Sequence, residues 1–519
     1  MATRVANIDD VRLLHRVAER CGLVEALAPL WVRFPEPFAS LGAAQVGTKM
    51  VRFWIWAPLS RIAEKVDTDP EAGAALAVLD QLLRQVILDA IAGIALNQVP
   101  GVDTVVETLA TATGAGAYVI HLAHIRVAQQ RPAEVDRLLQ HGLSRGLIEA
   151  SAFVRPDSLA DSRYVAPAPE HRSAITVPTI DADGHHSVDR PLGHSPGRPY
   201  VAALDRVVLE EQFLLHVPGV GVLSEGVSYR WRYGLSQRSF LLRPSRNEAL
   251  HTPLAGDDQI TRVPSATFFG KTAVHGHFII EGLERLHAYA LAGQALDPPF
   301  LVQDLPRSGY RRLLAALGLP ANDEGYAVIR SNRVAVEHLV IGGIGTSLPA
   351  VNPDSIRFLH ERGRHAAGRV AGIQRSGTKL YLARGPSMRR RIVNEDAVRG
   401  ALEARGYRAV QLETLDLIDQ IAVIAEASEI VGVHGSALIN LIWATPGTRV
   451  GVMVPSTWRD WRPGHVEMLF GQFQSVDLEA TAIECAPARD ERGAFHQFNE
   501  DLEVPVAALK RWLGDPRTD

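Results

Sequence analysis

Between Lys379 and Val454, short β-branched runs and amphipathic helical runs alternate without a long break, and this alternation restricts the fold more than any other feature of the chain. Lys379-Leu380-Tyr381-Leu382-Ala383 reads as a strand that ends at Arg384. Asn394 caps the next helix, with Glu395 and Asp396 in its first turn, where acidic side chains suit the positive end of the helix dipole. Ala397, Val398, Ala401 and Leu402 give this helix an apolar stripe, and Gly406 ends it. Residues 408–412 read as a strand, 416–428 as a helix, 429–433 as a buried strand, 437–444 as a helix and 449–454 as a last strand. The spacing predicts a doubly wound parallel sheet. Ligands of such sheets bind beyond the carboxyl ends of the strands. Arg384 and His434 both fall at such ends, so they should share one cleft.

His434-Gly435-Ser436 stands where a buried strand gives way to a helix. Ser436 is a suitable N-cap for it, and Pro446-Gly447 stops it. A helix start at this place offers free N–H donors and a positive dipole end to an anion such as phosphate. Many helices start this way with no ligand, and a buried structural imidazole is the plain alternative for His434. Arg384 terminates a buried strand, so the sheet aims its side chain. Its guanidinium fork suits an anion such as phosphate.

These residues also carry a resemblance. Arg384, the basic patch at 389–391 that includes Arg390, Asn394-Glu395-Asp396, Ala427-Ser428, Val431-Gly432, His434-Gly435, Leu438, Asn440 and Pro446-Gly447-Thr448 resemble the C-terminal half of glycosyltransferase family 61, of the capsular-polysaccharide type. A second block, His275-Gly276-His277-Phe278 through Glu281, Leu283 and Arg285-Leu286, is similar to the family's N-terminal His-Phe…Leu-x-Arg helix. The chain departs from the family pattern at Ser436-Ala437, where Ala-Gly is common, and at Ile439, where Thr often stands. The resemblance implies an inverting enzyme of the GT-B type: an α/β fold with a pair of Rossmann-like domains. It implies a nucleotide-sugar donor site made from Arg384, Arg390, Asn394, Glu395, His434, Gly435, Ser436, Ala437 and Asn440. Asn440, one turn into its helix, reads equally as a packing or capping partner.

On the helix after Gly276, Ile279, Leu283, Leu286 and Ala290 fall on one face and His277, Glu281, Glu284 and Arg285 on another. The bland reading is a solvated face. With the resemblance, that face lines an acceptor cleft opposite His434, with Arg285 on the acceptor side. A single-displacement transfer needs one base for the acceptor hydroxyl. Glu281 or His277 supplies it, and the sequence does not rank the two.

Composition frames the rest. The chain has 519 residues, 46% of them hydrophobic and 22% charged, with a net charge of −4. That is globular-protein composition with no basic field for nucleic acid. Two cysteines, Cys21 and Cys485, exclude a disulfide framework and suit a reducing cytosol. No secretory signal is apparent, and no apolar run is long enough to span a bilayer. The expected location is cytoplasmic, with peripheral contact to the inner membrane left open.

Three zones are predicted: a helical N-terminal region at 1–155; a segment at 156–368 that runs from a Pro-rich linker through β-rich hairpins into an α/β acceptor domain; and a nucleotide-sugar domain at 369–519 closed by a helix at 500–513.

Other chemistries fail. Ser436 lacks the glycines of a nucleophile elbow, the Gly-x-Gly pairs lack their third glycine, and no P-loop lysine is present. Asp181-Ala-Asp183 resembles a metal-binding Asp-x-Asp but lies in the linker-like zone, and the histidines at 185, 186, 194, 275 and 277 match no metal spacing. No metal or other cofactor is expected. The predicted function is transfer of a sugar from a nucleotide sugar, a UDP-sugar, to a hydroxyl of a glycan, a lipid-linked glycan or a protein. The alternative is a non-catalytic GT-B-like binding protein that works through its helical N-terminus.

Overall fold

The structure, a computed structural model, describes residues 59–80, 102–223 and 240–514 apart from breaks, the longest of them at 369–376 and 489–500, together with a few residues between 13 and 21. Much of the helical region expected at 1–155 lies outside the described residues, as does Arg389. The chain divides into two compact units. One is Met1–Arg155 with Val207–Arg262 and Ser331–Ala335; the other is Pro156–Arg206 with Val263–Arg330 and Val336–Asp519.

In the first unit, helices Val102–Thr113, Gly116–Ala128 and Pro132–Ser144 bury Val106, Leu109, Tyr118 and Leu122. Strand Glu149–Val154 pairs antiparallel with Glu248–His251, which pairs antiparallel with Phe240–Arg243.

The second unit holds the predicted parallel sheet. Its order is Tyr407–Val410, Thr378–Leu382, Ala427–Val433, Arg449–Pro455, Glu479–Ala488 and Pro178–Ile180, all parallel, with His186–Val188 antiparallel at the edge. The Ala427–Val433 strand is interior, as its unbroken apolar run requires: Ile430, Val431 and Val433 are all buried. Glu395–Glu403 and Leu417–Ala425 are helices at the predicted places. A smaller parallel set precedes it, Thr261–Gly270 beside Phe300–Val302 beside Tyr326–Val328, with helical segments in both connections. The fold is therefore mixed α/β.

Four local expectations are corrected. The linker-like zone contains Pro178–Ile180 as a sixth parallel strand, because Ile175, Val177 and Ile180 are buried and Pro178 occupies the first strand position, where its missing N–H costs least. The helix after Gly276 is not one regular α-helix: His275–His277 is α, Phe278–Leu283 is a π-helical segment and Arg285–Ala292 is α again. The inserted π turn rotates the residues beyond it, so Glu284 and Arg285 face inward instead of sharing a solvated face with Glu281. The segment after His434 is a 3-10 helix, Ser436–Trp443, with Gly435 at the N-cap and no side-chain cap. The end of the chain is a strand, Asp501–Glu503, then a short helix, Val506–Trp512, rather than one helix from 500.

Candidate functional site

The site builds from the carboxyl ends of two neighbouring strands. Leu382 and Gly432 are paired in register, so Arg384 and His434, each two residues further on, emerge side by side at the same end of the sheet. Arg384 Nη2 reaches the carbonyl oxygen of His434 at 3.5 Å, and Arg390 Nη1 donates to the same oxygen at 2.7 Å. Two guanidinium groups thus converge on one turn. Burial holds the Arg384 guanidinium below its ordinary value, and an arginine so placed stays charged. Arg390 has φ of 60°, a left-handed backbone that costs a non-glycine residue energy and is found where a side chain must be re-aimed. Gly435 leaves the room the fork needs: a Cβ there would lie 2.1 Å from Arg384 Nη2. Ser436 is exposed, and His434, Gly435 and Ala437 are half-buried.

The segment that carries the proposed base comes from the smaller parallel set and lies against this turn. Gly276 makes the contact: a Cβ on it would meet Ile439 Cδ1 at 2.6 Å and Ser436 Cβ at 3.3 Å. The next residue is His277, whose Nδ1 is 2.5 Å from Glu281 Oε1, and both side chains are largely buried. The structure therefore brings Arg384 and Arg390 together at the His434 turn and pairs His277 with Glu281, and the two groups are linked through Gly276, which meets Ser436.

The remaining predicted residues are engaged elsewhere. Asn394 does not cap its helix; its amide donates to the carbonyl of Val504 and accepts from the Val504 N–H, which ties the terminal segment to the sheet. Glu395 accepts from the Tyr381 hydroxyl at 2.8 and 2.9 Å and faces Arg399. Arg391 pairs with Asp501 on the surface. Arg285 is buried, donates to the carbonyl of Gly342 and lies over the Phe268 ring, so it does not open onto a cleft. Asn440 is completely buried, and it bridges His275 and Gln420.

Asp181 follows a parallel strand, so it too sits at the carboxyl end of the sheet. Asp181, Asp183 and His185 each present a ligand atom within 4.8 Å of the others, and Asp183 and His185 are exposed. Asp181 accepts from the backbone N–H of His185 at 2.8 Å, which holds its carboxyl below the usual range. Among the described residues this is the group that could hold a cation. The sequence pattern placed these residues in a linker because their strand was hidden by the prolines around it.

Residues 275–451, about a third of the chain, match the family model described as Glycosyltransferase 61. That span is a glycosyltransferase family 61 domain. The match begins at His275 and includes the His277–Glu281 segment, Arg384, Arg390 and the His434 turn, and this domain makes the chain a glycosyltransferase. No curated protein matches the chain. Among the described residues, no helix is long and apolar enough to cross a membrane.

The glycosyltransferase domain also uses residues that sequence patterning passed over. Tyr310 and Gln420 anchor the two ends of the hydrogen-bond chain through His275 and Asn440. Both lie in runs that read only as amphipathic helix, and nothing in their spacing marks them.

Proposed function

We propose that the chain transfers a sugar from a nucleotide-sugar donor, a UDP-sugar, to a hydroxyl group of a glycan, lipid-linked glycan or protein acceptor, with inversion at the anomeric carbon, in the cytoplasm or at the inner membrane surface. The observation that carries this reading is the convergence of Arg384 and Arg390 on the His434 carbonyl beside a helix start. In this reading the two parallel sets of the second unit act as the halves of a GT-B pair, with the donor on the larger set.

The diphosphate of the donor lies against Arg384, Arg390 and the N–H groups after Gly435. Positive charge is fixed there before reaction and stabilises the leaving group without reorganisation. Side-chain and backbone donors supply that charge, so binding does not require a divalent cation. Glu281, hydrogen-bonded to His277, accepts the proton of the attacking hydroxyl as the new glycosidic bond forms and the bond to the diphosphate breaks. Gly276, one residue before His277, meets Ser436, so in this reading base and leaving group act on one bound sugar.

The test is thermal stabilisation of the purified chain by a panel of nucleotides and nucleotide sugars, since a ligand that binds the native state raises its melting point. Uridine diphosphate and one of its sugars should stand out. A panel without any stabilising nucleotide sinks the proposal.

A further inference from the structure

His275 Nε2 lies 2.7 Å from Asn440 Oδ1, and His275 Nδ1 lies 2.9 Å from the Tyr310 hydroxyl. Asn440 Nδ2 donates to Gln420 Oε1 at 2.6 Å, and Gln420 Nε2 donates to the carbonyl of Leu415 at 2.9 Å. The last group fixes the direction of the whole chain, because a carbonyl can only accept. Gln420 must turn its NH₂ to Leu415 and its oxygen to Asn440. Asn440 must then give its NH₂ to Gln420 and its oxygen to His275. His275 must then carry a proton on Nε2, and where the ring is neutral Nδ1 accepts from the Tyr310 hydroxyl. Burial makes the ring neutral, because it pushes the imidazole down to about 4.

Each member has a role its neighbours cannot exchange. Tyr310 is also held by Phe278, stacked on it with ring centroids 4.3 Å apart. The chain joins the segment that starts at His275 to the 3-10 helix that starts at Ser436, two elements far apart in sequence. We propose that His275 and Asn440 are positioning residues, a directional hydrogen-bond clamp that holds the His277–Glu281 pair in register over the Ser436 turn. This rests on the transferase reading only for its consequence; the clamp itself is a property of the two elements. A clamp of this kind matters because a misplacement of about 1 Å at a reacting centre costs roughly 10²-fold in rate.

The full chain is compared with His275→Ala, Asn440→Ala, the double variant and Asn440→Asp. The first readout is amide hydrogen exchange over 275–283, which needs no substrate. Exchange there should rise in each alanine variant while Ala427–Val433 and Arg449–Pro455 keep their protection; unchanged exchange over 275–283, or loss of protection everywhere, overturns the clamp.

The second readout is transfer from the nucleotide-sugar panel. In the alanine variants, kcat should fall about 10²-fold with donor KM within about threefold, and the double variant should be no worse than the worse single one. A rise in KM alone, or losses that multiply, overturns the proposal. Asn440→Asp keeps the acceptor for His275, so it should retain more turnover than Asn440→Ala; equal loss would leave Asn440 a packing residue only and overturns its role. A wild-type chain that transfers no sugar, yet shows the exchange response, sinks the transferase reading and leaves the clamp standing.

Discussion

A methyl group on Gly435 would stand 2.1 Å from Nη2 of Arg384, so the glycine exists in contact with the guanidinium rather than for its backbone. Its φ is 165°, an extended value that any residue adopts. Gly435→Ala therefore carries no backbone strain, and its cost falls on the free end of a flexible side chain. Unfolding stability should change by less than about 1 kcal/mol. Uridine diphosphate affinity should fall by about 1.5–3 kcal/mol as Arg384 is pushed out of place. Calorimetry and denaturant unfolding on the same preparation check both; intact affinity would separate Arg384 from the donor.

The same turn makes a prediction about metal. Uridine diphosphate should bind in the presence of EDTA, and Arg384→Ala should weaken that binding by about 1.5–3 kcal/mol, the scale of a charge-assisted hydrogen bond. The competing device is the Asp181, Asp183 and His185 group at the carboxyl end of strand Pro178–Ile180, with two strands between it and Ala427–Val433. If binding requires Mn²⁺ or Mg²⁺ and is abolished by Asp183→Ala, the cation and not the arginine pair neutralises the diphosphate.

Much of this site was legible because a parallel strand in a doubly wound sheet announces itself twice, as a buried β-branched run and as a helix with the right period beside it. Ile430-Val431-Gly432-Val433 and Lys379-Leu380-Tyr381-Leu382 did so, and their ends located Arg384 and His434 side by side at the carboxyl end of the sheet. Pro178-Thr179-Ile180 did not, because three residues amid prolines and glycines carry no period. The π turn at 278–283 was equally silent: it changes the number of residues per turn without changing their chemistry, so Glu284 and Arg285 seemed to share the face of Glu281. The destinations of the Asn394 and Asn440 amides depend on partners at Val504 and His275, more than a hundred residues away in each case.

Stability should depend on pH through His275. Its pKa is lowered from 6.5 to about 4 in the folded chain, chiefly by burial, so between those values the unfolded chain binds more protons than the folded one. Stability then rises with pH across this window: it is fully present above 6.5 and is lost as pH falls towards 4, by up to about 3 kcal/mol. Burial also lowers His287 and His360, which adds in the same direction. Denaturant unfolding from pH 7 to pH 4.5 should show a slope that His275→Gln reduces. An unaltered slope would mean that burial does not keep this imidazole neutral.

The base is the sharpest test of the site. Glu281 and His277 are 2.5 Å apart and partly shielded from solvent, and His277 directly follows the glycine that meets Ser436. A proton acceptor affects turnover and leaves the donor bound, and its removal costs on the order of 10²–10⁴ in rate. Glu281→Gln keeps the shape of the side chain and its contact with His277 but cannot take a proton. It should bind uridine diphosphate as wild type does and lose transfer by that factor. Should Glu281→Gln transfer sugar near the wild-type rate while His277→Ala is inactive, the imidazole is the base and the carboxylate orients it. Should both variants stay active, neither takes the proton, and the acceptor hydroxyl approaches the sugar from a side of the turn that His277 and Glu281 do not face.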